Sequence, residues 1–292
     1  MGQSVELAVM VAALEDIAAT RAAASWDNVG LLLRGDRKIG RIGVCIDLTP
    51  PVWDELSQAG VDAVVAYHPP IFRGLKRLTG ASPRERTLLS VLRSGVHVYA
   101  PHTALDSAVG GMGDWLAQAI APRAELRDLR PVEPVDWDPA VGVGRRAELI
   151  SPVSLGERVD RIKSWLGLDH LRVAGDLSAP RASLAVCPGS GGAVFRGLGD
   201  VDLLLTGEMG HHEVLAHVAG GGAVVAVAEL GVRPRTHWRT AGNPRPPACL
   251  TRHTTEIRVE LTPPARIHTV SRTAPLPAPL KDSHVTQYCL VV

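Results

Sequence analysis

Three stretches of the chain bring imidazole and carboxylate side chains to the ends of apolar runs. "DAVVAYHPP" ends on Tyr67 and His68, "VYAPHTALD" on His102 and Asp106, and "DLLLTGEMGHH" on Glu208, His211 and His212. Imidazole and carboxylate together are ligands for zinc, manganese or iron, and such an ion with an open position lowers the pKa of bound water enough to make a nucleophile near neutral pH. His68 stands before Pro69-Pro70, and a residue before proline is pushed to extended backbone, so the imidazole continues its strand while the prolines fix the exit. A lone histidine at a strand end is ordinarily a surface or capping residue. Two strand ends carrying His and Asp argue for a site, although the spacing is no HExxH.

The elements that must position these side chains alternate. "RIGVCID" reads as a strand, Thr49 as the cap of a helix opening on Pro50-Pro51 and stopping at Gly60, and "VDAVVAY" as a second strand. Ser82 to Gly95 is a helix with a Ser cap and Pro at its first position, followed by the strand "VHVYA". This is βαβαβ, which predicts a largely parallel sheet with right-handed crossovers. The second half repeats the alternation, with a helix opening on the capping box Ser154–Glu157, then "SLAVCPGSGG", "VDLLLTGE", the helix "HHEVLAHVAGGG" and "AVVAVAE". Proline-broken "RPVEPVDWDPAVG" reads as a linker between them. The fold class is therefore α/β, with one lobe over 1–125, a linker over 126–144 and a second lobe over 145–229. In open parallel sheets ligands bind beyond the carboxyl ends of the strands, where the polar residues gather here.

Composition bounds the rest. At 292 residues, 46% hydrophobic and 21% charged, the chain can bury a sizeable core. No run approaches the roughly 18–20 apolar residues of a membrane span, and the acids within the N-terminal apolar pattern are unlike a secretory segment. The expected address is therefore intracellular. Cys45, Cys187, Cys249 and Cys289 form no CxxC pair and read as reduced thiols. "MGQSVE" has Glu6 where a myristoylation pattern needs Ser or Thr, and "CLVV" ends on valine with no second membrane signal. The net charge of +1 hides an asymmetry: residues 231–292 hold nine Lys/Arg against three Asp/Glu, or +6, leaving 22 against 27, or −5, for the rest. Those residues also hold nine of the 22 prolines, so the region from 230 to 292 reads as a tail that buries too little apolar surface to order itself.

Five strings go further than spacing: "SWDNVGLLL", "YHPPIFRGLKRL", "PHTALDSAVGGMGDWLA", "VCPGSGG" and "DLLLTGEMGHHEVL". In this order they resemble the NIF-three-like family (NGG-one-interacting factor three), whose bacterial members are catalogued as GTP cyclohydrolase type-two homologues. The resemblance runs from about Val11 to Glu229, and Tyr-His in place of a bacterial His-His resembles the animal branch. It implies two similar α/β lobes, a ring-shaped homohexamer and a two-metal centre. The implied ligands are His68 and Asp106, with Tyr67 in the place of the first histidine; tyrosine, with a reference pKa of about 10, is a poor ligand unless ionised. His102 is implied as an orienter of Asp106 or a proton carrier, and Glu208 and His212 as general-base residues. The family's His-x-x-x-Glu after the last strand has no counterpart in "LGVRPRTHWRTAGNPRPP", where Glu229 and His237 are wrongly spaced and prolines break the helix. The downstream sequence reads as a frame-shifted or alternatively spliced terminus. One ion or none, and an impaired or smaller oligomer, are expected on that account.

Two functions follow from the resemblance. One is a metal-dependent hydrolase acting on a small nucleotide-like substrate. The other is a regulatory protein contacting transcription factors in cytoplasm and nucleus, with a degenerate metal site and no direct binding of nucleic acid or membrane. "GSGG" reads as a tight turn before it reads as a phosphate nest. Arg73, Lys76 and Arg77 are either a solvated face or contacts for a phosphate-bearing substrate.

Overall fold

Strand and helix signals translate into two α/β units in the computed structural model, which describes residues 4–227 and 289–291. The first unit holds the N-terminal segment to Asp16, Ser25–His102 and a strand at the chain end; the second holds Ile17–Ala24 and, among the described residues, 103–227.

In the first unit, β1 (Gly30–Leu33), β2 (Ile42–Cys45), β3 (Ala63–Ala66), β4 (His97–Ala100) and the terminal strand, Cys289–Val291, form one sheet. Its order is β1, β4, β3, β2 and then the terminal strand. The β2–β3 and β3–β4 pairs are parallel, as the βαβαβ pattern requires, and the two outer strands run antiparallel. Every residue of β3 is buried, which is what a strand covered on both faces must be. Helices α2 (Pro50–Gln58) and α3 (Pro83–Arg93) bring Trp53, Leu56, Leu88 and Val91 against Val64, Ala66 and Val98. Helix α1 (Leu7–Ile17) joins Met10 to Ile39, Ala63 and Tyr99. The Ser82 hydroxyl accepts from the Glu85 amide at the start of α3. The Glu85 carboxylate in turn accepts from the amides of Thr79, Gly80 and Ala81, and the Thr79 bond leads in holding it below the usual carboxylate range.

A latch closes the far end of this sheet. Gly35 donates to Nδ1 of the buried His97, whose Nε2 donates to the Arg37 carbonyl. A Cβ on Gly35 would lie 2.0 Å from the Gly95 carbonyl oxygen, so only glycine lets the backbones approach this closely.

The second unit contains α5 (Met112–Ile120), β5 (Leu126–Arg130), β6 (Glu133–Val135), β7 (Asp138–Val143), β8 (Arg145–Ser154), α6 (Leu155–Leu166) and β9 (Arg172–Ala174). It continues with β10 (Pro180–Ser190), β11 (Leu203–Glu208), α7 (His211–Ala219) and β12 (Ala223–Ala226). Its main sheet runs β5, β8, β10, β11, β12, β9, with a parallel core of β10, β11 and β12 and antiparallel flanks. The sheet is thus mixed rather than mostly parallel. The Ser154 cap is formed, its hydroxyl accepting from the Glu157 amide and donating to the Glu157 carboxylate. Arg145 is buried and fully engaged, pairing with Asp114 and donating to the carbonyls of Ser107, Ala108, Gly142 and Gly144.

Two expectations of domain layout change. The stretch 126–144, read as a linker from its prolines, is three strands: β5 pairs with β8, and β6 and β7 make a two-stranded sheet. Both strands of a two-stranded sheet are edges, where proline is tolerated, so Pro134 and Pro139 sit within them. The boundary between units also falls near His102 rather than 125, because Leu116, Ala117, Ala119 and Ile120 of α5 pack against Leu184, Val186, Leu203 and Leu205. From the expected tail, Cys289–Val291 pairs with β2; residues 228–288 and 292, with Glu229 and His237 among them, lie outside the described residues. Among the described residues no helix is long and apolar enough to cross a membrane.

Candidate functional site

Two histidines of the first unit stand just past the carboxyl ends of neighbouring strands. The β2–β3 register matches Cys45 with Ala66, and the pairing runs on as Tyr67 and His68 donate to the carbonyls of Cys45 and Ile46. Two residues further, Asp47 and His68 fall opposite one another, and His68 Nδ1 meets Asp47 Oδ1 at 2.9 Å. The second pairing follows from an antiparallel register. Gly30 of β1 faces Ala100 of β4, so the residues before Gly30 lie beside those after Ala100. Asp27 and His102 meet there, Oδ1 to Nδ1 at 2.8 Å.

The Asp27 carboxylate is wholly shielded from solvent, while the His102 side chain keeps 17% of its exposure. His102 begins helix α4 (His102–Ser107) with φ +31°, a left-handed value that costs a non-glycine residue about 1–3 kcal/mol and persists only where its surroundings impose it. Aromatic rings supply part of that constraint. Tyr67, His68, Trp26 and Phe72 all stand steeply to the His102 ring, at centroid distances of 5.6, 5.4, 6.2 and 6.4 Å.

With each Nδ1 held by a carboxylate, ligation by either ring falls to Nε2. This is the outer-shell arrangement that orients metal-binding imidazoles and raises their basicity, so the donor chemistry fits a divalent ion. The Tyr67 ring lies tilted against that of His68, centroids 5.0 Å apart, and offers only a phenol. Asp106 lies four residues beyond His102 on α4, in the second unit. Within that unit its carboxylate, with that of Glu133, adds to the dominant effect of burial in pushing the Cys187 thiol up to about 12. Among the described residues no three His, Cys, Asp or Glu side chains gather closely enough to hold an ion.

Glu208 and His212 belong to the second unit, at the end of β11 and the start of α7, and both are exposed. The His211 and His212 rings lie 5.5 Å apart. The neighbouring "GSGG" closes on itself: Gly191 donates to Thr206 Oγ1 and the Glu208 carbonyl, and Thr206 donates to the Gly189 carbonyl. A Cβ on Gly192 would strike the Glu213 carboxylate. That is a packed turn rather than a row of outward amides. Of the two orienting carboxylates, Asp27 belongs to "WDN", which by itself reads as a turn before a strand and which the family resemblance puts by the site, whereas sequence reasoning misses Asp47; strand register identifies the imidazole that each one holds.

The sequence model of the family described as Duf34/NIF3 (NGG1p interacting factor 3) matches residues 5–229. Protein NIF3 homolog of Schizosaccharomyces pombe is 42% identical over 220 residues, covering 73% of this chain and 79% of that protein. NGG1-interacting factor 3 of Saccharomyces cerevisiae is 37% identical, over 69% and 76%. The GTP cyclohydrolase 1 type 2 homolog of Clostridium perfringens is 33% identical, over 69% and 76%. Among solved structures, the Staphylococcus aureus hypothetical protein SA1388 superposes with a TM-score of 0.67 at 22% identity, over 78% of this chain and 87% of that one. At that identity the likeness is one of fold.

Proposed function

Because this chain belongs to the Duf34/NIF3 family, we propose that it is a divalent-metal-binding, hydrolase-like protein acting on a small nucleotide-like substrate. The observation that carries the reading is the pair of imidazoles, His68 and His102, each held at Nδ1 by a carboxylate beyond adjacent strands of one sheet. His68 and His102 would hold zinc, manganese or iron through Nε2, and Asp106 remains a ligand candidate of the second unit. When bound, the ion supplies Lewis acidity to the site.

The chain's own residues do the rest. Asp47 and Asp27 fix which ring nitrogen faces the ligand, and Asp27, shielded from water, holds His102 without competition from solvent. His102 is placed to exchange a proton at Nε2 when no ion occupies it. Glu208 and His212 remain general-base candidates of the second unit. In the same reading the chain is a cytoplasmic, and also nuclear, homo-oligomer, the family hexamer or a smaller ring.

A second reading, a regulatory protein with a degenerate metal site, is favoured by Tyr67 standing where a histidine ligand is expected and by the partner in the name of the Saccharomyces relative. The two are separated by incubating the full chain with GTP and zinc, manganese or iron(II), while following ring opening by ultraviolet absorbance and phosphate release. Turnover that disappears in His68→Ala supports the hydrolase reading. Absence of turnover with each metal supports the second.

A further inference from the structure

The rings around His102 do more than pack. Trp26 is 63% exposed and Phe72 38% exposed, yet their centroids lie 6.0 Å apart and both rings reach His102. Large aromatic faces left in water forgo transfer energy that burial would supply. Here one bond joins the two segments carrying them, the Asn28 side-chain amide donating to the Ile71 carbonyl. Each segment is also held by itself: the Asn28 backbone amide donates to Asp27 Oδ1 at 2.7 Å, and Arg84 Nε of α3 donates to the Pro70 carbonyl at 2.6 Å. Trp26 therefore flanks the Asp27–His102 pair on one fixed segment, and Phe72 extends from the other. Arg73, Lys76 and Arg77, all exposed, follow Phe72 in the same loop.

We propose that this aromatic cluster is the seat of the base of a mononucleotide, stacked on Trp26 with Phe72 against its edge, and that the phosphate is met by Arg73, Lys76 and Arg77. The assignment rests on the nucleotide-substrate part of the proposed function and names the side chains that would read such a substrate. The 59° tilt between Trp26 and Phe72 leaves no parallel slot, so the ligand ring has one stacking partner and one edge partner. Stacking on an aromatic side chain is indifferent to base identity, because every base has a π-face. Cations in the loop that carries Phe72 favour an anionic ligand over a neutral one. A preformed ring cluster also spares the ligand the entropy of ordering its site.

The test is calorimetric titration of the full chain with GMP, guanosine and ribose 5-phosphate, on the wild type, Trp26→Ala, Trp26→Phe and the triple variant Arg73→Ala/Lys76→Ala/Arg77→Ala. Trp26→Ala is expected to weaken GMP and guanosine by about ten- to a hundredfold, the range of base–aromatic stacking, with ribose 5-phosphate unchanged and affinity largely restored by Trp26→Phe. The triple variant should weaken GMP and ribose 5-phosphate but not guanosine. The proposal is overturned if the wild type binds no GMP, if Trp26→Ala binds it as the wild type does, or if Trp26→Ala changes only the oligomer mass by light scattering. Elemental analysis of the same samples separates the two claims: bound metal with no Trp26-dependent GMP binding removes the stacking site alone, whereas Trp26-dependent binding by a metal-free chain removes the metal alone.

Discussion

His68, Tyr67 and His102 can be placed at strand ends from the sequence because an apolar run stopping on a histidine before or after proline is a local signal. Which carboxylate directs which ring cannot be read from it. Asp47 closes one strand and His68 the next, and only the match of Cys45 with Ala66 sets them opposite. Asp27 reaches His102 through the reversal of β1 against β4. Replacing Asp27 by Asn keeps the shape and removes the charge that fixes the ring. Metal affinity by chelator competition is expected to fall about 10- to 100-fold, the usual effect of losing such a partner, with the fold retained in circular dichroism. Unchanged affinity would show that Asp27 does not orient a ligand. A different histidine sets a pH dependence. His217 Nε2 is buried without a hydrogen-bond partner among the described residues, and burial, then Arg181, hold its pKa below the usual 6.5 against the pull of Asp202. The unfolded chain therefore binds the proton more readily. The stability this group contributes is full above about pH 6.5 and is lost as pH falls from there through the lower folded value. Urea midpoints should decline over that window in the wild type and decline less in His217→Gln.

Elements whose signals are local are legible, and those fixed by partners are not. The caps at Ser82 and Ser154 are both formed, since a cap needs only its own helix. Ser154→Ala should cost about 1 kcal/mol in chemical denaturation; a cost near zero would mean that Glu157 alone satisfies the α6 start. The prolines of 126–144 mislead because they mark edge strands as well as linkers, and nothing in the stretch itself reveals that β5 has β8 to pair with. Helix α5 falls in the other unit from the one its place in the chain suggests, for a similar reason. Its apolar face is plain in the sequence, but which sheet it covers is decided by Leu184, Val186, Leu203 and Leu205, more than sixty residues downstream.

At the scale of the whole molecule, the alternation of strands and helices and five fixed strings suffice for the fold class and the family, which the match over residues 5–229 establishes. The antiparallel flanks of both sheets are not legible, because a short strand such as β9 or the terminal Cys289–Val291 carries too few residues to show a period. What the molecule does turns on whether the carboxylate-held imidazoles of the first unit bind an ion in the intact chain. Elemental analysis of the purified full-length protein, after dialysis against zinc, manganese or iron(II) and removal of excess, measures this most directly. The account predicts bound divalent metal in the wild type and its loss in His68→Ala, with His102→Ala reduced. A wild-type chain that retains none of these metals, or a His68→Ala variant that retains as much as the wild type, would contradict it.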